Sequence, residues 1–205
     1  PYAMHNPWYG EASGPPETAS SPEECNAACL SSLTGKVMQA YVNRGEYKTL
    51  PWADKVGYEE NSVGMQLNEG IWGSTTAIDQ SPLVIADEAL GRALWIGRIE
   101  EHGAPAWAAV TVSADGDKIG RIESVIRRKE YLGPYKEPVT APSFAPLSTA
   151  QRTSRVDMLA AVDRFYLAIA AENGEAPADL AEDCKWAVNG LEMSACEVPF
   201  SNRLL

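Results

Sequence analysis

Apolar residues recur along this chain with two distinct periods, and the change of period marks its elements. Leu30, Leu33, Val37 and Tyr41 fall on one face of a 3.6-residue period. Ahead of them "SPEE" offers Ser21 as N-cap, Pro22 at the first helical position and Glu24 three residues after the cap, so a helix is expected to start there and to end at Gly45. A second helical or turn segment is expected around 46–54. Period two then takes over. "VGYEEN" and "MQLNEG" read as a short hairpin, "STTAIDQSP" as a brief helix, and "RALWIGRIE", "APAWAAVTVSA" and "KIGRIESVIRR" as three longer strands joined by "EHG" and "DGD". Alternation puts Ala93, Trp95, Gly97 and Ile99 on one face and Leu94, Ile96 and Arg98 on the other. The expected fold class is α+β: a curved antiparallel sheet forming a cone with helices packed on one face.

Four segments follow from this pattern. Residues 1–20 mix proline, glycine and small polar residues without periodicity and read as an extended arm. Residues 21–132 form the cone, and 133–153, with Pro134, Pro138, Pro142 and Pro146, read as a linker. In 154–205, Ser154 and Asp157 cap a helix whose stripe is Val156, Leu159, Val162, Tyr166 and Ile169, and Asn189-Gly190 closes a hairpin. This last segment weakly echoes the helix and first hairpin of the cone but lacks its three long strands, so it reads as an incomplete second copy. It is expected to dock on the first domain or on a partner chain, which favours a homodimer.

Charge removes some partners. Seventeen basic against twenty-eight acidic residues give a net charge of -11, which repels phosphate backbones and anionic lipid surfaces. No nucleic acid and no membrane are expected as partners, and no run of eighteen apolar residues occurs. The four cysteines form two local clusters, Cys25/Cys29 and Cys184/Cys196. A zinc site from all four is conceivable, yet the first spacing is one residue too long for a metal knuckle; no metal and no cofactor are expected. The hairpin at Asn189-Gly190 would set Cys184 opposite Cys196, and a disulfide there would slightly favour a periplasmic or secreted location over a cytoplasmic one.

The order of elements, with "LPWADKVGYEENSVG…NEGIWGSTTAI" and "CNAACL", resembles the nuclear-transport-factor-2-like superfamily, including SnoaL-like cyclases and ketosteroid isomerases. The likeness spans about residues 25–130, and 155–198 faintly, and extends to bacterial two-repeat members of unassigned function. It implies a cone holding a small hydrophobic or aromatic ligand, a carboxylate general base at Glu60 and a tyrosine donor at Tyr41. The second acid that the isomerases carry on a long strand has no counterpart in "AWAAVTV".

The residues themselves bear on that assignment. Alternation gives Tyr58 and Glu60 the same side and Glu59 the other. A carboxylate walled by Trp52, Tyr58, Trp72, Trp95 or Trp107 would lose hydration and become a stronger base. Arg98 is a second candidate for holding an oxyanion, or else part of a strand ion network with Arg121 and Glu123. His102, in "EEHGAP", is a turn histidine or a catalytic one. Two functions fit: a cofactor-independent lyase, dehydratase or isomerase acting on a small aromatic or polycyclic molecule, or a non-catalytic ligand-binding or protein-interaction module of the same fold.

Overall fold

A computed structural model describes residues 25–128, 147–171, 180–184, 186–188 and 191–193. The chain divides into two compact units, Pro1–Tyr131 and Leu132–Leu205, each described by itself. The arm at 1–20 and most of the proline-rich linker lie outside the described residues.

The first unit opens on helix α1 (Ala27–Val42), capped by Asn26, whose side chain accepts from the Cys29 amide at 3.0 Å. The described cap therefore lies five residues beyond the expected Ser21. Cys25 and Cys29 form a disulfide that pins the residue before the cap to the first turn, a pairing the sequence reading did not anticipate. These two thiols are consequently not available as zinc ligands. Leu30, Leu33, Val37 and Tyr41 are all buried, as their spacing predicts, and Met38 and Thr34 join them. A 3-10 turn (Glu46–Thr49) follows, and strand β1 (Trp52–Glu60) starts inside the segment expected to be a turn.

β1 turns at Asn61-Ser62 into the two-residue β2 (Val63–Gly64). Both turn residues have positive φ, 50° and 65°, which suits the primed turns that match strand twist. The expected partner "MQLNEG" supplies only Met65 to this hairpin, whose amide bonds Tyr58 O. α2 (Ile71–Ser74) comes next, then β3 (Thr75–Ile78). The expected helix at "STTAIDQSP" is thus a strand: Thr75 and Thr76 are β-branched, and the edge of a long strand was available to pair them. β4 (Leu83–Asp87), which the pattern did not reveal, pairs with the same strand.

The three long strands are as read: β5 (Arg92–Glu101), β6 (Ala104–Asp115) and β7 (Lys118–Arg128), in antiparallel register. The sheet order is β2-β1-β7-β6-β5-β3, with β4 also on β5. One pair departs from the expected antiparallel sheet. β1 runs parallel to β7, with Trp52 opposite Ile119 and Glu60 opposite Ser124. A parallel neighbour needs a crossover, and the whole stretch between Asn61 and Asp117 supplies it. Register shifts in β1–β7, β3–β5 and β6–β7 bend the sheet, and α1 packs into its concave face against β3, β4, β5 and β6. This makes the α+β cone. Inner positions of β6 are the small Ala106 and Ala108, whereas Trp95 on β5 lies flat across Gly97, where an added Cβ would come within 2.8 Å of the indole.

In the second unit, Ser154 caps α3 (Arg155–Ala170), accepting from the Asp157 amide at 3.1 Å, and β8 (Trp186–Val188) pairs antiparallel with β9 (Leu191–Met193); Asn189 and Gly190 lie outside the described residues. Cys184 is disulfide-bonded. Among the described residues no helix is long and apolar enough to cross a membrane.

Asn61 does more than turn the chain. Its amide bonds Ser124 O, and its side chain donates to Ile126 O at 3.2 Å and accepts from Ile126 N at 2.8 Å, hooking the turn onto β7. Ser62 has positive φ and no such bond among those described. We therefore expect opposite outcomes from two glycine substitutions. Ser62→Gly relieves left-handed strain and stabilises by about 0.5 kcal/mol after glycine's extra unfolded-state entropy is subtracted. Asn61→Gly loses two hydrogen bonds and destabilises by about 1–2 kcal/mol. Urea denaturation of the two variants checks the sign of each.

Candidate functional site

Inward alternation on β1 brings Tyr58 and Glu60 into the cone, both under a tenth exposed, while Glu59 points outward to Arg121 at 2.8 Å. A buried carboxylate must have its lone pairs met. Glu60 Oε2 accepts from the Ile71 amide at 2.9 Å and from the Tyr58 hydroxyl at 3.4 Å; Oε1 accepts from Arg128 Nη2 at 3.1 Å. The close approach to α2 depends on Gly70, which has φ 59° and ψ −130°, and where a Cβ would collide with Glu60 Oε2.

Arg128, at the end of β7, reaches a second carboxylate. Its Nη2 donates to Glu101 Oε1 at 2.9 Å, and Ser74 Oγ donates to the same oxygen at 2.6 Å. Arg128 Nε lies 2.8 Å from Glu101 Oε2, an ion-pair contact that is not aligned as a hydrogen bond, so that oxygen accepts none. Both glutamate side chains are 8% exposed and the arginine 35%, so one guanidinium at the rim bridges two carboxylates beneath it. The Glu101 hydrogen bond, with a further one from Glu60, raises the arginine pKa against the opposing effect of burial.

Behind Glu60 stand two phenols. Tyr41 Oη lies 3.5 Å from Ser124 Oγ. Burial pushes both hydroxyls well above the ordinary tyrosine range; the Glu60 charge adds to this for Tyr41, and the Tyr41 and Glu60 groups add to it for Tyr58. They stay neutral and keep a proton to donate. Trp72 sits against them, its ring centroid 4.3 Å from Tyr41 and 6.2 Å from each of Tyr47, Trp52 and Tyr58. The edge-on geometry suits aromatic quadrupoles. Its indole N–H is buried without a partner.

The structure thus gathers Tyr41, Trp52, Tyr58, Glu60 and Trp72 into one cluster. Trp95 faces the same interior from β5. Arg98 and Trp107 do not join them: they are cross-strand partners on the opposite face of β5 and β6, because each is one residue out of phase with the buried set. His102 occupies the exposed β5–β6 turn with φ 49°, its amide bonding Ser74 O, and does not reach the cluster. Arg121 does form the surface ion network, with Glu59 and with Glu123 at 3.3 Å. Sequence reasoning missed Glu101, Ser74, Ser124 and Arg128. The signal for two of them was present, since the inward series through Trp95 and Ile99 continues to Glu101, and that through Ile122, Ser124 and Ile126 continues to Arg128.

Neither a family model nor a curated protein matches the chain. Solved structures do. Among the similar structures, a nuclear-transport-factor-2-like protein from Burkholderia xenovorans LB400 is 13% identical, with 50% of this chain and 92% of that one covered and a TM-score of 0.38. A proposed ketosteroid isomerase from Kribbella flavida DSM 17836 is 14% identical over 62% and 96% of the two chains, with a TM-score of 0.41. A de novo designed protein with a curved β-sheet is also 14% identical, over 52% and 90%, with a TM-score of 0.40. Likeness at this level is of fold, and carries no argument about activity.

Two measurements probe the cluster. Tyr41 and Tyr58 have folded pKa values raised above the unfolded value of 10.0, so their contribution to stability is complete below pH 10 and lost as pH rises further. The expected loss from the pair is about 2.7 kcal/mol per pH unit above 10, halved in Tyr58→Phe, read from urea midpoints between pH 9 and 11.5. Gly70→Ala forces a left-handed alanine against Glu60 and is expected to cost about 2–4 kcal/mol; a loss under 0.5 kcal/mol in the same assay would contradict the close approach.

Proposed function

We propose that the cone is a cofactor-independent lyase, dehydratase or isomerase acting on a small aromatic or polycyclic molecule, with Glu60 as general base. The observation behind this reading is a buried carboxylate hydrogen-bonded by one neutral phenol hydroxyl, with a second near enough to feel its charge. A base that takes a proton from carbon leaves charge on a nearby oxygen, and a phenol held neutral at pH 7 is a donor for that oxygen. Three acceptor positions of Glu60 are filled, and the remaining one, on Oε1, lies on the side of the part-exposed Arg128. Tyr41 serves as the donor, the single Tyr58 proton being given to Glu60 Oε2, and Trp52 and Trp72 supply aromatic surface for the rings. The Cys25–Cys29 disulfide supports an oxidising compartment, periplasmic or extracellular. Assembly as a homodimer belongs to the same reading: Val125 is 64% exposed on the outer face of β7, an apolar side chain that a second copy would cover.

A specific observation favours a second reading, a non-catalytic binding module. Trp72 is only 1% exposed and wedged among Tyr41, Trp52 and Tyr58, so aromatic side chains fill the level of the cone next to Glu60. Deuterium uptake separates the two. In D2O the intact protein is incubated with a panel of cyclic ketones and phenolic alcohols, and exchange at carbon is followed by mass spectrometry. Catalysis by Glu60 requires uptake in the wild type that falls by about 10²–10⁴-fold in Glu60→Gln. Wild-type rates retained in Glu60→Gln would remove the base, and binding of panel members without uptake would establish the second reading.

A further inference from the structure

The base and its donor leave part of the cone's polar interior unused. Thr75 is 2% exposed and its hydroxyl has no hydrogen-bond partner among the described residues. Its cross-strand register partner is Glu101, which faces the same interior and whose Oε2 accepts no hydrogen bond although Arg128 Nε lies 2.8 Å away. Residues directly opposite in an antiparallel pair have Cβ atoms about 5 Å apart. Trp72, three residues before Thr75 and on the same side of the α2 turn, adds a third buried polar atom without a partner, its indole N–H. Buried polar atoms are normally satisfied, because leaving one unmet costs about 1–3 kcal/mol. Glu101 Oε2 is held by its ion pair with Arg128 alone, so the Thr75 hydroxyl opposite it is the unmet group to be explained.

We propose that Thr75, Glu101 and Arg128 form a second station in the cone, a binding site for a neutral hydroxyl of the ligand. This deepens the reading above by naming a substrate class, hydroxylated aromatic compounds, and rests on it only for the ligand lying in the same interior. A hydroxyl is the small neutral group that both donates and accepts from one oxygen. Glu101 Oε2 can accept its proton while the Thr75 hydroxyl donates to its oxygen. Charge excludes an anion: Glu60 and Glu101 place two carboxylates against one guanidinium, so an incoming anion is repelled. An ammonium group is the competitor that this net negative charge leaves, and an amine probe tests it.

The test uses the intact, ¹⁵N-labelled protein and three probes that differ in one group: benzyl alcohol, toluene and benzylamine. The Trp72 indole N–H resonance, identified by its loss in Trp72→Phe, reports occupancy. The alcohol is expected to bind about tenfold more tightly than toluene, and Thr75→Val to abolish that difference. Thr75→Val is also expected to leave the melting temperature unchanged or higher, because a hydroxyl without a partner contributes nothing when removed. Equal affinity for alcohol and toluene, preference for the amine, or no binding of any probe overturns the proposal. So does a lower melting temperature of Thr75→Val, the mark of a hydroxyl satisfied by structural water. The result is separable from the fate of Glu60 as base: alcohol discrimination without deuterium uptake leaves this station standing and that role refuted, and uptake without discrimination does the reverse.

Discussion

One guanidinium shared between two buried carboxylates sets the conditions for the rest of the cone. Glu60 ends β1, Glu101 ends β5, and Arg128 ends β7, so the three strands must converge at one rim for the charges to meet. Breaking such a cluster by removing one partner typically costs about 3–5 kcal/mol, because the remaining charge is left buried and unpaired. The α2 turn belongs to the same arrangement, since the Ile71 amide and the Ser74 hydroxyl each satisfy one of the carboxylates. Sheet curvature, the glycine at 70 and the inward phase of three strands all serve this convergence.

Much of that was legible in the residues, for a definable reason. Where one face of an element is buried and the other wet, apolar spacing reports the face directly. α1 shows this through Leu30, Leu33, Val37 and Tyr41, and β5 through Ala93, Trp95 and Ile99. The same period separated Glu60 from Glu59 correctly. It would equally have placed Glu101 and Arg128 inside and Arg98 and Trp107 outside, had charge type not been allowed to override phase.

Other features follow from partners distant in sequence, and local pattern does not carry them. β1 lies parallel to β7 because the chain crosses the sheet between them, which no window of ten residues records. β3 and β4 are short and only half covered, so their alternation is weak; they are strands because β5 offers an unpaired edge. The Cys25–Cys29 bond arises from a backbone geometry at the start of α1, with the Cα atoms 5.1 Å apart, that spacing alone leaves open.

The parallel pairing of β1 with β7 also orders events in time. β5, β6 and β7 are joined by tight turns and can zip together soon after they are made, whereas the Asn61–Ile126 bonds join residues 65 apart in sequence. Loop closure over that distance is repaid only once a finished β7 is present to receive β1. The expected order from sequence separation is that α1 and β1 are completed last, with Tyr41, Tyr58 and Trp72 uncovered until β7 is in place. A cone assembled in this order acquires its interior chemistry in a single late step.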